Sequence, residues 1–342
     1  MHQVDDVKSP LTASAPVGRV GGAVLLANVV AEVGIVVTGG LVRLTGSGLG
    51  CPTWPECSSG NLVPTPTRSE GLHTFIEFGN RMLTFAVLVA AVSALVVVLR
   101  PWLAGRFPDV SALGPPGRVR RPLVWLAAAG ILGIVAQAAL GGITVLLDLH
   151  PATVAAHFLL SMAMIAVAFV LFWRAREPGD HPVQVTVRRE LRQLSWVIAG
   201  LAAVVLMLGT VVTGSGPHSG DADVVSRFDL DVRMMSWLHA DVVLLFVGLT
   251  LAFWLGARLS AAPAVTRRAA VLLVAACVAQ GALGYTQYFT GVPVGLVSLH
   301  MLGACLVWLG ALGALLSTRQ RGPVRTEGTD RRPPSGTTAS ST

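Results

Sequence analysis

Three histidines, His157, His239 and His300, fall inside long apolar stretches of the chain. Ionisable side chains at membrane depth are costly and usually functional, and neutral imidazole is a standard axial ligand of haem iron. All three lie one to two helical turns inside the same end of their segments. His239 and His300 on facing helices at one depth would give the geometry of a bis-histidine b-type haem. The alternative is an interhelical hydrogen bond, which weighs more for a lone histidine than for three at matched depth. At the start of the second apolar stretch, His73, Glu77 and Asn80 are spaced four and three apart and so share a helical face. Glu77 could move a proton or accept a hydrogen bond beside a haem. The neighbouring Arg81 could grip a propionate through its guanidinium fork. The competing reading is a polar helix end snorkelling to the membrane interface.

Cys51 and Cys57 stand five residues apart in a loop predicted to face an oxidising compartment. A disulfide there would staple the loop, worth about 2–3 kcal/mol; the sharper alternative is a thiol–disulfide couple that passes electrons. Cys277 and Cys305 lie within apolar stretches and read as small packing residues. Glu32 is near the middle of the first apolar stretch, with Asn28 one turn before it. It reads either as a functional carboxyl or as a neutral group hydrogen-bonded to Gln137. His2, His150, His181 and His218 lie in a tail or in loops and read as solvated.

The elements that must position these residues are eight apolar runs near 21–42, 75–99, 122–146, 152–173, 194–214, 235–256, 268–290 and 295–317. Each is long enough to cross a bilayer of about 30 Å. Of the 342 residues, 53% are hydrophobic and only 13% charged, well below the share in soluble domains, so an all-α integral membrane protein is expected. The net charge of +7 is spread over short loops rather than gathered on a soluble domain, which argues against nucleic acid as a partner. The first 20 residues are polar and the first apolar run is too long for a cleavable leader, so it reads as a retained helix.

Arginine is concentrated in 100–121, 174–193, 257–268 and the C-terminal tail, while the alternate loops carry only Arg43, Arg68, Arg227 and Arg233. The positive-inside rule then puts both termini in the cytoplasm, and the three histidines toward the extracytoplasmic side. An internal repeat is visible: Val135–Gly141 recurs as Val278–Gly284, and Gln137 precedes His157 by the same twenty residues as Gln280 precedes His300. Each half has four helices, so the halves share an orientation and are expected to be related by a pseudo-twofold axis along the membrane normal. The expected division is a cytoplasmic tail (1–20), an N-terminal four-helix half (21–173), a cytoplasmic linker (174–193), a C-terminal four-helix half (194–317) and a disordered tail (318–342).

The run from Gly39 through Gly50-Cys51-Pro52-Thr53-Trp54-Pro55-Glu56-Cys57, together with Ile76-Glu77-Phe78-Gly79-Asn80-Arg81 and the histidines of helices 4, 6 and 8, resembles the haem A synthase (CtaA) family over essentially all eight helices. The resemblance implies that His239 and His300 hold a prosthetic haem b in the C-terminal half, and that the N-terminal half binds haem O as substrate, with His157 at its iron. It further implies oxidation of the haem O C8 methyl to a formyl by successive hydroxylations, with Glu77 as the functional helix-2 glutamate. Arg43 and Arg81 are candidates for propionate contacts. The family's Glu-x-x-His on helix 2 ends here in Asn80, so either His73 substitutes or the substrate iron has one strong protein ligand. The second cysteine pair often found in the loop between helices 5 and 6 is missing, which rules out a two-disulfide relay and favours the staple. Implied partners are membrane lipid, a haem O synthase and an electron donor, in the cell inner membrane. A membrane b-type cytochrome without chemistry of its own, and a transporter built from parallel repeats, are the competing readings.

Overall fold

The computed structural model describes residues 17–57, 60–64, 71–106, 119–179, 182–221, 223 and 225–322. It contains eight long helices: α1 (Arg19–Leu44), α2 (Gly71–Arg106), α3 (Arg121–Leu146), α4 (Pro151–Ala175), α5 (Arg189–Ser215), α6 (Val232–Leu259), α7 (Ala264–Phe289) and α8 (Val294–Ser317). All eight are long and apolar enough to cross a membrane, as the eight apolar runs predicted. Each helix extends past its apolar run at one or both ends; α7 starts four residues before its run and stops one residue short of the run's end. Satisfying every backbone group internally is what makes helices the spanning structure in hydrocarbon, and the bundle leaves many large apolar side chains exposed, among them Trp125, Leu132, Leu272 and Phe289.

Local chemistry sets the helix starts. His150 caps α4 by accepting a hydrogen bond from the Ala152 amide, with Pro151 in the first turn. Asp231 caps α6 through the Met234 amide at 2.6 Å. Pro101 lies inside α2 near its C-terminal end, and the helix continues to Arg106.

In the N-terminal half, α1 packs on α2, α2 on α3, α3 on α4 and α4 back on α1; in the C-terminal half α5, α6, α7 and α8 close a ring in the same order. The halves meet where α1 touches α8, α4 touches α5 and α4 touches α8. Val36, Met162, Ile165, Leu206 and Cys305 are buried along that seam, and the Trp308 indole N–H donates to the Met162 carbonyl across it at 2.9 Å. A side chain on Gly40 would collide with Met301, so glycine is what lets α1 approach α8. Cys277 and Cys305 are free and buried, as packing residues should be.

The end of the bundle carrying the α1–α2 loop is called the upper end here. At the lower end, Val183–Val185 (β1) and Arg319–Arg321 (β2) pair as a two-stranded antiparallel ribbon. The start of the tail expected to be disordered is therefore ordered through residue 321. It has backbone partners in the α4–α5 linker, and Arg321 pairs with Glu177 at 3.4 Å. Residues 323–342 lie outside the described residues, as do His2, His181 and Arg68.

Candidate functional site

His157, His239 and His300 lie six, seven and six residues below the first residues of α4, α6 and α8, so they share one depth, about 10 Å under the upper helix ends. Each imidazole faces a glycine on the preceding helix. A Cβ on Gly141 would stand 3.1 Å from His157 Cε1, one on Gly284 3.1 Å from His300 Cε1, and one on Gly209 3.5 Å from His239 Cε1. The fourth such place is taken by Asn80, whose Nδ2 would be 3.6 Å from a Cβ on Gly39. Four glycines thus make room for three imidazoles and one amide. The Nδ1 atoms of His157, His239 and His300 are all buried without a hydrogen-bond partner.

Two glutamines lock this arrangement. Gln137 of α3 donates through Nε2 to the His157 carbonyl at 3.1 Å and also to the Ser161 hydroxyl. Gln280 of α7 donates to the His300 carbonyl at 2.8 Å. The twenty-residue spacing seen in the sequence is therefore a contact between adjacent helices. Gln137 is engaged here and not with Glu32, which corrects the expectation that those two hydrogen-bond. The four glycines were not singled out by sequence reasoning. The signal was present in Gly141 and Gly284, which end the two copies of the repeated stretch.

The α1–α2 loop roofs the N-terminal half. Cys51 and Cys57 are joined by a disulfide and both are buried. Glu77 Oε2 accepts from the Cys51 amide at 2.7 Å, while its Oε1 accepts from Arg81 Nε at 3.0 Å. Arg81 fans out further, donating to the Cys51 carbonyl at 2.9 Å and to those of Thr53 and Glu56 at 3.3–3.4 Å. Trp54 rests on α3 where a side chain on Gly142 would collide with its indole. Asn80 accepts from the Thr38 hydroxyl at 2.8 Å.

His73 is exposed and its Nδ1 is hydrogen-bonded to the Ser47 hydroxyl at 2.8 Å, two helical turns above Asn80. Arg43 donates from Nε to the His218 carbonyl at 2.9 Å and from Nη2 to that of Thr213 at 3.4 Å. His218 in turn bonds the Val292 carbonyl at 3.0 Å, and Ser47 forms a bridge with Asp221. The upper loops of both halves are thereby tied into one layer. His150 and His218 are thus a cap and a loop clasp rather than merely solvated side chains.

Among the described residues no group of three or more His, Cys, Asp or Glu is placed to hold a bare metal ion. A haem makes a smaller demand, because the macrocycle supplies four nitrogens and the protein only one or two axial groups. Half-buried imidazoles with an unpartnered ring nitrogen, each beside a glycine, fit that demand.

Comparison with known proteins agrees with this chemistry. Residues 23–312 match the COX15-CtaA family model, described as cytochrome oxidase assembly protein. A haem A synthase of Alkalihalophilus pseudofirmus is 26% identical over 193 residues, covering 55% of this chain and 59% of that one. One of Staphylococcus haemolyticus is 29% identical over 179 residues, covering 51% and 52%. A protein of Thermus thermophilus named protoheme IX farnesyltransferase is 28% identical over 321 residues, covering 89% of this chain and 48% of its own length. The chain thus spans about half the length of the curated relatives it matches. With the family model matched over most of its residues and eight apolar helices to carry the match, this multi-pass membrane protein belongs to the COX15-CtaA family of cytochrome oxidase assembly proteins.

Proposed function

We propose that the chain is a haem A synthase, which binds haem O in its N-terminal half and oxidises the C8 methyl to a formyl by successive hydroxylations, with a haem b in the C-terminal half as electron relay. The observation that carries this reading is the asymmetry of the four glycine-backed positions: two imidazoles, His239 and His300, in one half, and one imidazole with an amide, His157 and Asn80, in the other. An iron held on both faces is saturated and suited to electron transfer, whereas oxidative chemistry needs an open face. A cytochrome with two equivalent haems has no use for Asn80.

In this reading His239 and His300 hold haem b, and His157 holds the iron of haem O. A bound haem supplies the redox-active iron, and the rest is done by the chain. Gln137 and Gln280 fix the ligand-bearing helices α4 and α8. Glu77 and Arg81 hold the disulfide-closed loop over the N-terminal site and shield it from water. For Glu77 to move a proton as well, its pair with Arg81 must open. His73, bonded to Ser47, would have to leave that bond to serve as a ligand, so His157 acts as the single strong protein ligand of the substrate. Arg81 is engaged with loop carbonyls and Arg43 with the α5–α6 loop, so propionate contacts would come by exchanging a carbonyl partner for a carboxylate.

The like ring of helix neighbours in each half, and the paired Gln-to-His contacts, support a pseudo-twofold relation between the halves. With the arginine distribution, they support a protein of the cell membrane with both termini in the cytoplasm and the haem sites toward the extracytoplasmic side. The farnesyltransferase relative matches nearly all of this chain with only about half of its own length, which supports a partnership with the enzyme that makes haem O. The test is to extract haems from cells expressing a haem O synthase with and without this chain. Haem A in the extract only when the chain is present is the expected outcome; haem O alone in both overturns the reading.

A further inference from the structure

Below the histidine layer, all four helices of the N-terminal half enclose a cavity of about 10 Å³, bordered by Asn28, Glu32, Ala91, Ala94, Gly130 and Ala168 among others. Asn28 is 5% exposed and Glu32 3%. The Asn28 Oδ1 is buried there with no hydrogen-bond partner. No cation lines the cavity, and a carboxylate without one is expensive in hydrocarbon, so Glu32 carries its own proton. The space suits a single water, and a buried water needs two or more polar partners: the Glu32 carboxyl and the Asn28 amide oxygen provide them. In the C-terminal half, where Gly209 stands as Gly39 does, the positions corresponding to Asn28 and Glu32 are Ile198 and Ala202, both buried and apolar. The feature therefore belongs to the half that contains His157 and Asn80. Between the cavity and His157, Ser161 and Gln137 stand at intermediate height and are hydrogen-bonded to each other. Ser161 is one turn below His157, and Val167 of the cavity wall lies about 9 Å further down α4.

We propose that Glu32 and Asn28 form a buried site for a proton and one water, and that this site supplies protons to the N-terminal haem pocket. One proton passes from the Glu32 hydroxyl through the neighbouring water to the N-terminal haem pocket, leaving the carboxylate, and one returns from the aqueous side to restore the carboxyl, with no electron moved. The supply role rests on the haem-oxidising reading above; the site itself does not.

Infrared spectroscopy of the purified full-length protein in H₂O and D₂O reads the site directly. Expected is a protonated-carboxyl C=O band that shifts on deuteration, vanishes in Glu32→Gln and changes frequency in Asn28→Leu, which leaves the carboxyl in place but removes its water. Absence of the band, or its persistence in Glu32→Gln, overturns the site. Haem O turnover reads the role: Glu32→Gln should be slower by about 10²-fold with haem b content unchanged. Full turnover in a variant that has lost the band overturns the supply role. A wild type that bears the band but converts no haem O sinks the enzyme reading and leaves the site standing.

Discussion

Gly284 and His300 show how much of the site is decided by single residues. A Cβ at Gly284 would already be tight against the imidazole, and the branched side chain of valine would push the ring off its position. Gly284→Val is therefore expected to lower haem b content at least several-fold in the purified protein. Gly281→Val, one turn away where nothing lies within 4 Å, should leave the haem spectrum intact; pigment-to-protein ratios measure both. The histidines themselves were legible because an ionisable group in an apolar run stands out. Two of their glycine neighbours, Gly141 and Gly284, were not, because the helices that carry them, α3 and α7, have little polar face to reveal which side packs on the next helix. Likewise Gln137 and Gln280 were visible as a repeat but not as hydrogen-bond donors to the ligand helices.

Among the elements, the α1–α2 loop is where sequence and structure differ most in meaning. The sequence leaves Glu77 and Arg81 between a place beside a haem and a polar helix end at the interface; in the structure both grip the loop that contains Cys51, Thr53 and Glu56. That grip depends on which backbone atoms a loop folded by a disulfide brings within reach, and residue spacing does not contain it. Hydrogen bonds to an ionised group contribute about 1.5–3 kcal/mol each, so Glu77→Gln is expected to destabilise the loop by about 3 kcal/mol and to speed reduction of the Cys51–Cys57 disulfide by a phosphine reagent. An unchanged reduction rate would mean that the carboxylate is not the tether. The cysteine pair was legible as a staple, and its test is the double variant Cys51→Ser/Cys57→Ser. Loss of about 2–3 kcal/mol of stability with turnover retained in the folded fraction is expected of a staple, and abolished turnover at unchanged stability is expected of an electron-passing couple.

At the scale of the whole molecule, the eight spans were legible, since membrane thickness fixes helix length, and their boundaries fall within five residues of those expected except at the end of α2, which runs seven residues further, to Arg106. The ribbon between β1 and β2 was not, because it joins segments 134 or more residues apart through backbone bonds that polar composition does not announce. Orientation follows from arginine placement and is open to direct test. Thr290 and Ser260 are exposed at opposite ends of the bundle, and the free cysteines are buried. Thr290→Cys is expected to react with a membrane-impermeant maleimide in intact cells, and Ser260→Cys only after lysis; the reverse pattern would invert the topology. The division of labour between the halves is tested most directly by the pigments of purified wild type, His300→Ala and His157→Ala after co-expression with a haem O synthase. Expected are haem b and haem A in the wild type, loss of the bis-histidine b-type spectrum in His300→Ala, and retention of that spectrum without haem A in His157→Ala. Retention of haem b in His300→Ala, or haem A made by His157→Ala, would contradict the assignment of the two halves.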